Sequence, residues 1–135
     1  MKKKQIKLEI PAEQTSFIAI ACTLSIHKFV WELNNALDIS LSESNEICIN
    51  ENCFPVFKDE MSLANKSIVI IKNRIETGVL IQKLVNIDYI LKIRGPFTEE
   101  EVKVIMGKIK KITSVIAVIQ IDPSKFKGVN LIQNT

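Results

Sequence analysis

Residues 114–121, SVIAVIQI, run for eight positions without a charged side chain. Isoleucine and valine crowd the run, which favours an extended strand. It also falls far short of the roughly 18 apolar residues that a membrane helix requires. A strand apolar on both faces must be covered on both, so the run reads as a central strand, covered on both sides or at a domain interface. Most of the chain's other architecture has to be arranged to provide that cover. The material is available: 47% of the 135 residues are hydrophobic, but only 6% are aromatic, so the core has to be aliphatic. A chain of this length folds as one domain and can bury a core without disulfides or metals.

Charge says little about partners. The formal net charge is +3, and removing Lys2, Lys3 and Lys4 would leave zero. The body is therefore close to neutral, which argues weakly for nucleic acid. The MKKK start resembles the basic region of a signal peptide, but Gln5, Lys7 and Glu9 interrupt what should be its apolar core, so no targeting segment is expected. Cys22, Cys48 and Cys53 are odd in number and show no secreted spacing, which reads as reduced thiols in a cytoplasmic protein.

The order of elements follows from periodicity. Gln5–Ile10 alternates apolar and polar residues and reads as a half-buried strand stopped by Pro11. Glu13–Leu24 fits two patterns: Phe17, Ile20, Ala21 and Leu24 make a helical stripe, while Phe17–Cys22 suits a short buried strand. The helical reading is preferred because IHKFVWELNNAL follows, with Ser25 placed to cap it. From Ile39 to about Lys72 the period changes to two, giving a meander of antiparallel hairpins, with Pro55 marking an edge or bulge. Gly78 precedes a short helix, VLIQKLVN. DYILKIRGP is a strand with Tyr89, Leu91 and Ile93 on one side and Ile90, Lys92 and Arg94 on the other. Thr98-Glu-Glu-Glu101 is a capping box opening a helix whose far end carries Lys108, Lys110 and Lys111. The tail either docks through Phe126, Val129, Leu131 and Ile132 or is loose. The expected fold is α+β: a mainly antiparallel sheet with an N-terminal helical segment and a C-terminal helix packed on it.

Candidate chemistry is sparse. The single histidine, His27, falls in a predicted helix with no nucleophile or orienting group at a motif spacing, and is read as a partly exposed helix residue. Cys48 and Cys53 lack the second ligand pair of a structural zinc site and are read as buried or half-buried thiols. Gly78, Gly95, Gly107 and Gly128 are scattered, and form no phosphate loop. Glu99–Glu101 belongs to a helix's first turn rather than to a cation site. No catalytic, cofactor-binding or metal residue is therefore assigned. Lys108, Lys110, Lys111, Lys125 and Lys127 could join Lys2–Lys4 in a basic patch, with Phe126 as a stacking group. Trp31, the only tryptophan, is read as core from its spacing; exposed, it would be an interface anchor.

IPAEQTSF, residues 10–17, resembles a worn form of the motif that names the IPExxVDY family, small uncharacterised proteins of Bacteroidota. Ile10 and Pro11 match, Ala12 replaces the glutamate, and Thr15, Ser16 and Phe17 stand in place of valine, aspartate and tyrosine. Trp31-x-Leu33-Asn34, Leu63-Ala64-Asn65 and LIQKLVNIDYILKIRG also resemble the family, over nearly the whole chain. The resemblance implies no catalysis. Were the glutamate and aspartate catalytic, Ala12 and Ser16 would leave this chain inactive; the simpler expectation is punctuation, a proline closing a strand before a polar helix start.

Three functions follow as expectations. The first is a non-enzymatic protein-interaction module, acting as a homodimer or on another protein. The second is nucleic-acid binding through the C-terminal lysines. The third is a small-ligand binder or enzyme with a pocket drawn from Asp88, Tyr89, Lys92 or Arg94.

Overall fold

A computed structural model of the chain describes residues 14–59, 65–126, 128 and 132. The fold is α+β. Strands β1 (Gln14–Cys22), β2 (Ser42–Glu43), β5 (Val56–Asp59), β6 (Ser67–Lys72), β9 (Tyr89–Gly95) and β10 (Val115–Ile121) form one six-stranded sheet. Its order is β10-β1-β9-β6-β5-β2, and every pairing is antiparallel. Two small ribbons complete the described strands: β3 (Ile47–Ile49) with β4 (Asn52–Phe54), and β7 (Arg74–Ile75) with β8 (Gly78–Val79). Two helices, α1 (Ile26–Leu37) and α2 (Glu99–Lys110), cover one face.

Both faces of the sheet are buried, and the register shows how. Ile18 lies opposite Leu91, which lies opposite Ile70; this row points to the helices. Ala19 lies opposite Ile90, which lies opposite Ile71; this row points the other way. The helix side is filled by Phe29, Val30 and Leu33 from α1 and Val102 and Ile109 from α2. The second side is covered by Phe54, by Leu80, Ile81 and Ile87 of an irregular segment, and by Ile132. Inner strands of such a sheet lose their alternation, because neither side faces water.

That explains the first correction. Residues 14–22 are an inner strand, not part of a helical pair. In QTSFIAIAC, Phe17 and Ala19 serve one core while Ile18, Ile20 and Cys22 serve the other. An uninterrupted apolar run imitates a helical stripe when both sides are buried. Thr15 and Ser16 therefore lie in a strand and cap no helix. Residues 1–13, with the expected strand Gln5–Ile10 and most of the IPAEQTSF start, lie outside the described residues.

The second correction concerns VLIQKLVN. Apart from Val79, at the end of β8, it forms turns without a helix. Its organiser is Asn73, which is fully buried. The Asn73 amide nitrogen donates to the carbonyls of Leu84 and Ile87, at 2.9 Å each. Its Oδ1 accepts from the Ile81 amide at 2.9 Å. Its own backbone donates to Asp88 and accepts from Leu80. One side chain thus satisfies backbone groups that a helix would have satisfied internally.

Other expectations match in part. The capping box is present: Glu101 N–H donates to Thr98 Oγ1 at 3.1 Å, and Thr98 N–H donates to Glu101 Oε1 at 2.8 Å. Pro55 departs from the expected edge or bulge within one strand: it separates β4 from β5, so the chain changes sheets where it lacks an amide to pair. Gly95 ends β9 with φ +126, and a Cβ there would come within 2.6 Å of the Asn65 carbonyl, so only glycine fits. Ser25 occupies the N-cap of α1, but its side chain makes no capping bond. Asn34 does the fastening at the other end: its side chain accepts from Leu41 N–H at 2.7 Å and donates to the Leu41 carbonyl at 3.3 Å.

Two stability predictions follow from these bonds. Asn73→Ala leaves one amide and two carbonyls short of partners in a buried segment and should cost about 3 kcal/mol or more in urea unfolding. The capping interaction depends on pH. The Thr98 amide holds the Glu101 carboxyl below the ordinary glutamate value, with Lys66 nearby assisting. Its charge therefore stabilises the fold above the unfolded pKa, about 4.3, and that contribution is lost as pH falls through the lower folded value. The stability advantage of wild type over Glu101→Gln should be full at pH 7 and vanish in strong acid, followed by urea midpoints across pH.

Candidate functional site

The two edges of the main sheet are unlike each other. β2 at one edge has two residues, Ser42 and Glu43, both exposed and one of them charged. A short, polar, charged edge repels further strands. β10 at the other edge has seven residues, VIAVIQI, and pairs only with β1 among the described residues. Ile116 is 73% exposed and Ile119 is 53% exposed. No lysine, proline or other charge interrupts this edge. Among the described residues, the run expected at the centre of the sheet is thus at its border. Its outward side chains Ile116 and Ile119 are left without the cover that a strand apolar on both faces is expected to have.

A cleft opens at the start of β10, with a volume of about 1270 Å³. Ile116, Cys22, Thr23, Arg74, Asp88 and Tyr89 are among its walls. Asp88 is the organising group. One carboxylate oxygen accepts from the Cys22 amide at 2.9 Å, and the other accepts from Arg74 Nε and a terminal guanidinium nitrogen at 3.2 and 3.0 Å. Asp88 thereby ties the end of β1 to the β7 ribbon, just before β9 begins. The Tyr89 hydroxyl donates to the Leu24 carbonyl. Burial pushes the tyrosine hydroxyl well above its ordinary pKa. Burial also pushes the Cys22 thiol up, so it stays protonated and packs as a small apolar group. Asp88 and Tyr89 do meet in a cleft, whereas Lys92 and Arg94 are not among its walls. Lys92 is instead 1% exposed, on the sheet face opposite the helices between Phe17 and Val69. Burial lowers its pKa, with Arg94 and Lys58 adding to the effect.

The other candidates are dispersed. His27 is exposed, stacks edge-on against Phe57 at 5.6 Å and is not among the walls of the cleft. Glu99, Glu100 and Glu101 occupy the first turn of α2, as expected. Lys108, Lys110, Lys111 and Lys125 are exposed, while Phe126 is half-buried and packs on the second core. Lys2–Lys4 and Lys127, like Val129 and Leu131, lie outside the described residues. Cys48 and Cys53 are neither buried nor reduced: they face each other across the β3–β4 ribbon, exposed and joined in a disulfide.

Trp31 is a further correction. The buried stripe of α1 is Ile26, Phe29, Val30 and Leu33, and Trp31 falls off it, 65% exposed. The spacing was compatible with either side, since Trp31 adjoins a stripe residue in sequence but not on the helix surface.

The chain matches no protein-family model, and no curated protein is significantly similar to it.

Exposure of Trp31 has a direct readout. Its fluorescence should be quenched readily by iodide, and Trp31→Ala should change folding stability by less than about 0.5 kcal/mol. Iodide-resistant emission would show that a partner covers this face of α1.

Proposed function

We propose that this protein works through protein contacts and that its primary partner is a second copy of itself, joined along β10. The observation that carries this reading is the contrast between the two sheet edges: one is short and charged, the other long, aliphatic and uncharged. Self-pairing is chemically simple for such a strand. A two-fold axis through Val118 would set β10 antiparallel to its copy, continuing the pattern of every pairing in the sheet. Ile119 would then lie opposite the partner's Ala117, and Ile116 opposite the partner's Gln120. No like charges would meet, which is the usual obstacle to pairing a strand with itself. The same operation keeps both copies of α2 on one side of a continuous sheet. The absence of an assembled nucleophile and base among the described residues sits easily with a non-enzymatic role.

Cytoplasmic residence is part of this reading. Cys22 is a buried free thiol, and the Cys48–Cys53 bond is solvent-exposed, where cellular thiols can reach it. Kinship with the IPExxVDY family is proposed on the segments named above. In this chain Asn34, Asp88 and Tyr89 fall within them, and their hydrogen bonds give those segments a structural purpose.

A second reading rests on the cleft. Asp88 is engaged by Cys22 and Arg74, so the remaining donors of the half-exposed Arg74 and the hydroxyls of Thr23 and Ser25 are left to meet a small polar ligand. Binding there predicts a ligand-sized mass adduct in gentle native mass spectra, one that Arg74→Ala abolishes.

The dimer is tested by sedimentation. Wild type should show a concentration-dependent dimer, and Ile119→Lys should be monomeric with stability within about 1 kcal/mol of wild type, because the position is exposed. A wild-type chain that is monomeric at high micromolar concentration would overturn the reading.

A further inference from the structure

We propose that the β3–β4 ribbon is a thiol-gated site for a soft divalent cation, Zn²⁺, in which Glu46, Cys48 and Cys53 are the ligands once the disulfide is reduced.

The ribbon is built to hold these three groups on one side. Ile47 and Ile49 pack on the second core, and Phe54 is buried in it. Strand alternation therefore turns Glu46, Cys48 and Cys53 outward, and all three are exposed. Cys48 and Cys53 are direct cross-strand partners with Cα atoms 4.1 Å apart, so the two sulfurs meet without backbone movement. Asn50, with φ 58, turns the chain tightly between the strands. A carboxylate oxygen of Glu46 and both sulfurs lie within 4.8 Å of one another. Ligand atoms around tetrahedral zinc are separated by about 3.5–3.8 Å, given Zn–S of about 2.3 Å and Zn–O of about 2.0–2.2 Å. Small side-chain rotations reach that spacing from either state: the sulfurs part, and the carboxylate closes in. Two thiolates select zinc over magnesium or calcium, and water completes the fourth position at this open surface.

The disulfide and the metal exclude each other, because zinc takes thiolates as ligands and the neutral sulfurs of a disulfide are poor donors to it. The interconversion balances with a dithiol as reductant. One thiolate of the dithiol attacks a protein sulfur and forms a mixed disulfide; its second thiol resolves it and leaves as the cyclic disulfide. Two electrons and two protons have then passed to Cys48 and Cys53. Zinc binding releases both protons to solvent and leaves two thiolates on the metal. Cys22 takes no part, being buried in the helix-side core.

The test uses the full chain, oxidised or reduced with a dithiol and then freed of it under argon, titrated with Zn²⁺ and, for spectroscopy, with Co²⁺. Reduced wild type should bind one Zn²⁺ per chain with release of two protons, and its Co²⁺ form should show thiolate charge-transfer absorption. Oxidised protein should bind at least about 100-fold more weakly. Cys48→Ser and Cys53→Ser should lose the site, Glu46→Gln should weaken it about tenfold, and Cys22→Ser should leave it unchanged; far-ultraviolet circular dichroism confirms that each variant is folded. Equal zinc binding by oxidised and reduced protein would overturn the proposal. So would binding that survives Cys53→Ser, or binding to the cysteines that ignores Glu46→Gln.

Discussion

The Asn73 side chain takes the place of a regular element. On the helix side of the sheet, α1 and α2 satisfy their own backbones and need only present apolar faces. On the other side, residues 80–87 must bury Leu80, Ile81 and Ile87 without helix or strand hydrogen bonds. An apolar segment can do that only if its amides and carbonyls find partners elsewhere. Asn73 supplies three of them from a single buried amide group. Without it, the second face of β1, β9 and β6 would lose much of its cover, and a sheet apolar on both sides would be left with one side wet.

Asp88 extends the same logic to the start of β10. Its carboxylate receives the Cys22 amide at the end of β1 and the Arg74 guanidinium from the β7 ribbon. The backbone of Asp88 also donates to Ile20 and accepts from Asn73. Asn73 and Asp88 are thus neighbouring knots: one fastens the irregular cover, the other fastens the strand ends. Between them they hold β1 firmly enough to serve as the template for β10. The outer border of β10 is uncharged, with one irregularity in its register where Ile116 is skipped between Ala21 and Cys22, and that border underlies the proposed self-association.

What was legible in the sequence were the elements whose signals are local. Thr98 and Glu101 sit three apart before an apolar stripe, and that alone fixes where α2 begins. Pro55 cannot donate to a ladder, so an irregularity there is legible locally, but that it divides the run into strands of two different sheets is set by their partners. The alternation of β9 was correct residue by residue, even though Lys92 is buried. The elements misread were those set by distant partners. β1 is an inner strand because β9 and β10 flank it, and double burial erased the alternation that would have marked it. SVIAVIQI looked central for the same compositional reason, yet composition carries no information about which strands lie on either side. The turns of 80–87 depend on an asparagine at least seven positions upstream. Trp31 sits one residue beyond a stripe position, and a rotation of about 100° separates core from solvent. Cys48 and Cys53 were read through their count and spacing, while their pairing depends on the register of one short ribbon. Of the four residues named for a pocket, Asp88 and Tyr89 line the cleft and Lys92 and Arg94 do not; Arg74 and Cys22, the partners of Asp88, come from elements that only the fold brings near.

The central claim is that β10 is a border strand completed by a second copy of the chain. Backbone hydrogen exchange on β10, followed over a dilution series, tests it most directly. The amides of β9 are internal to the sheet and should exchange slowly at every concentration. The outward amides of β10 should be protected when the protein is concentrated and become fast on dilution, as the pairing strand leaves. β10 amides that exchange fast at all concentrations would contradict the account, and so would amides that stay equally protected at all of them, since the strand would then be bare in the first case and already paired within its own chain in the second.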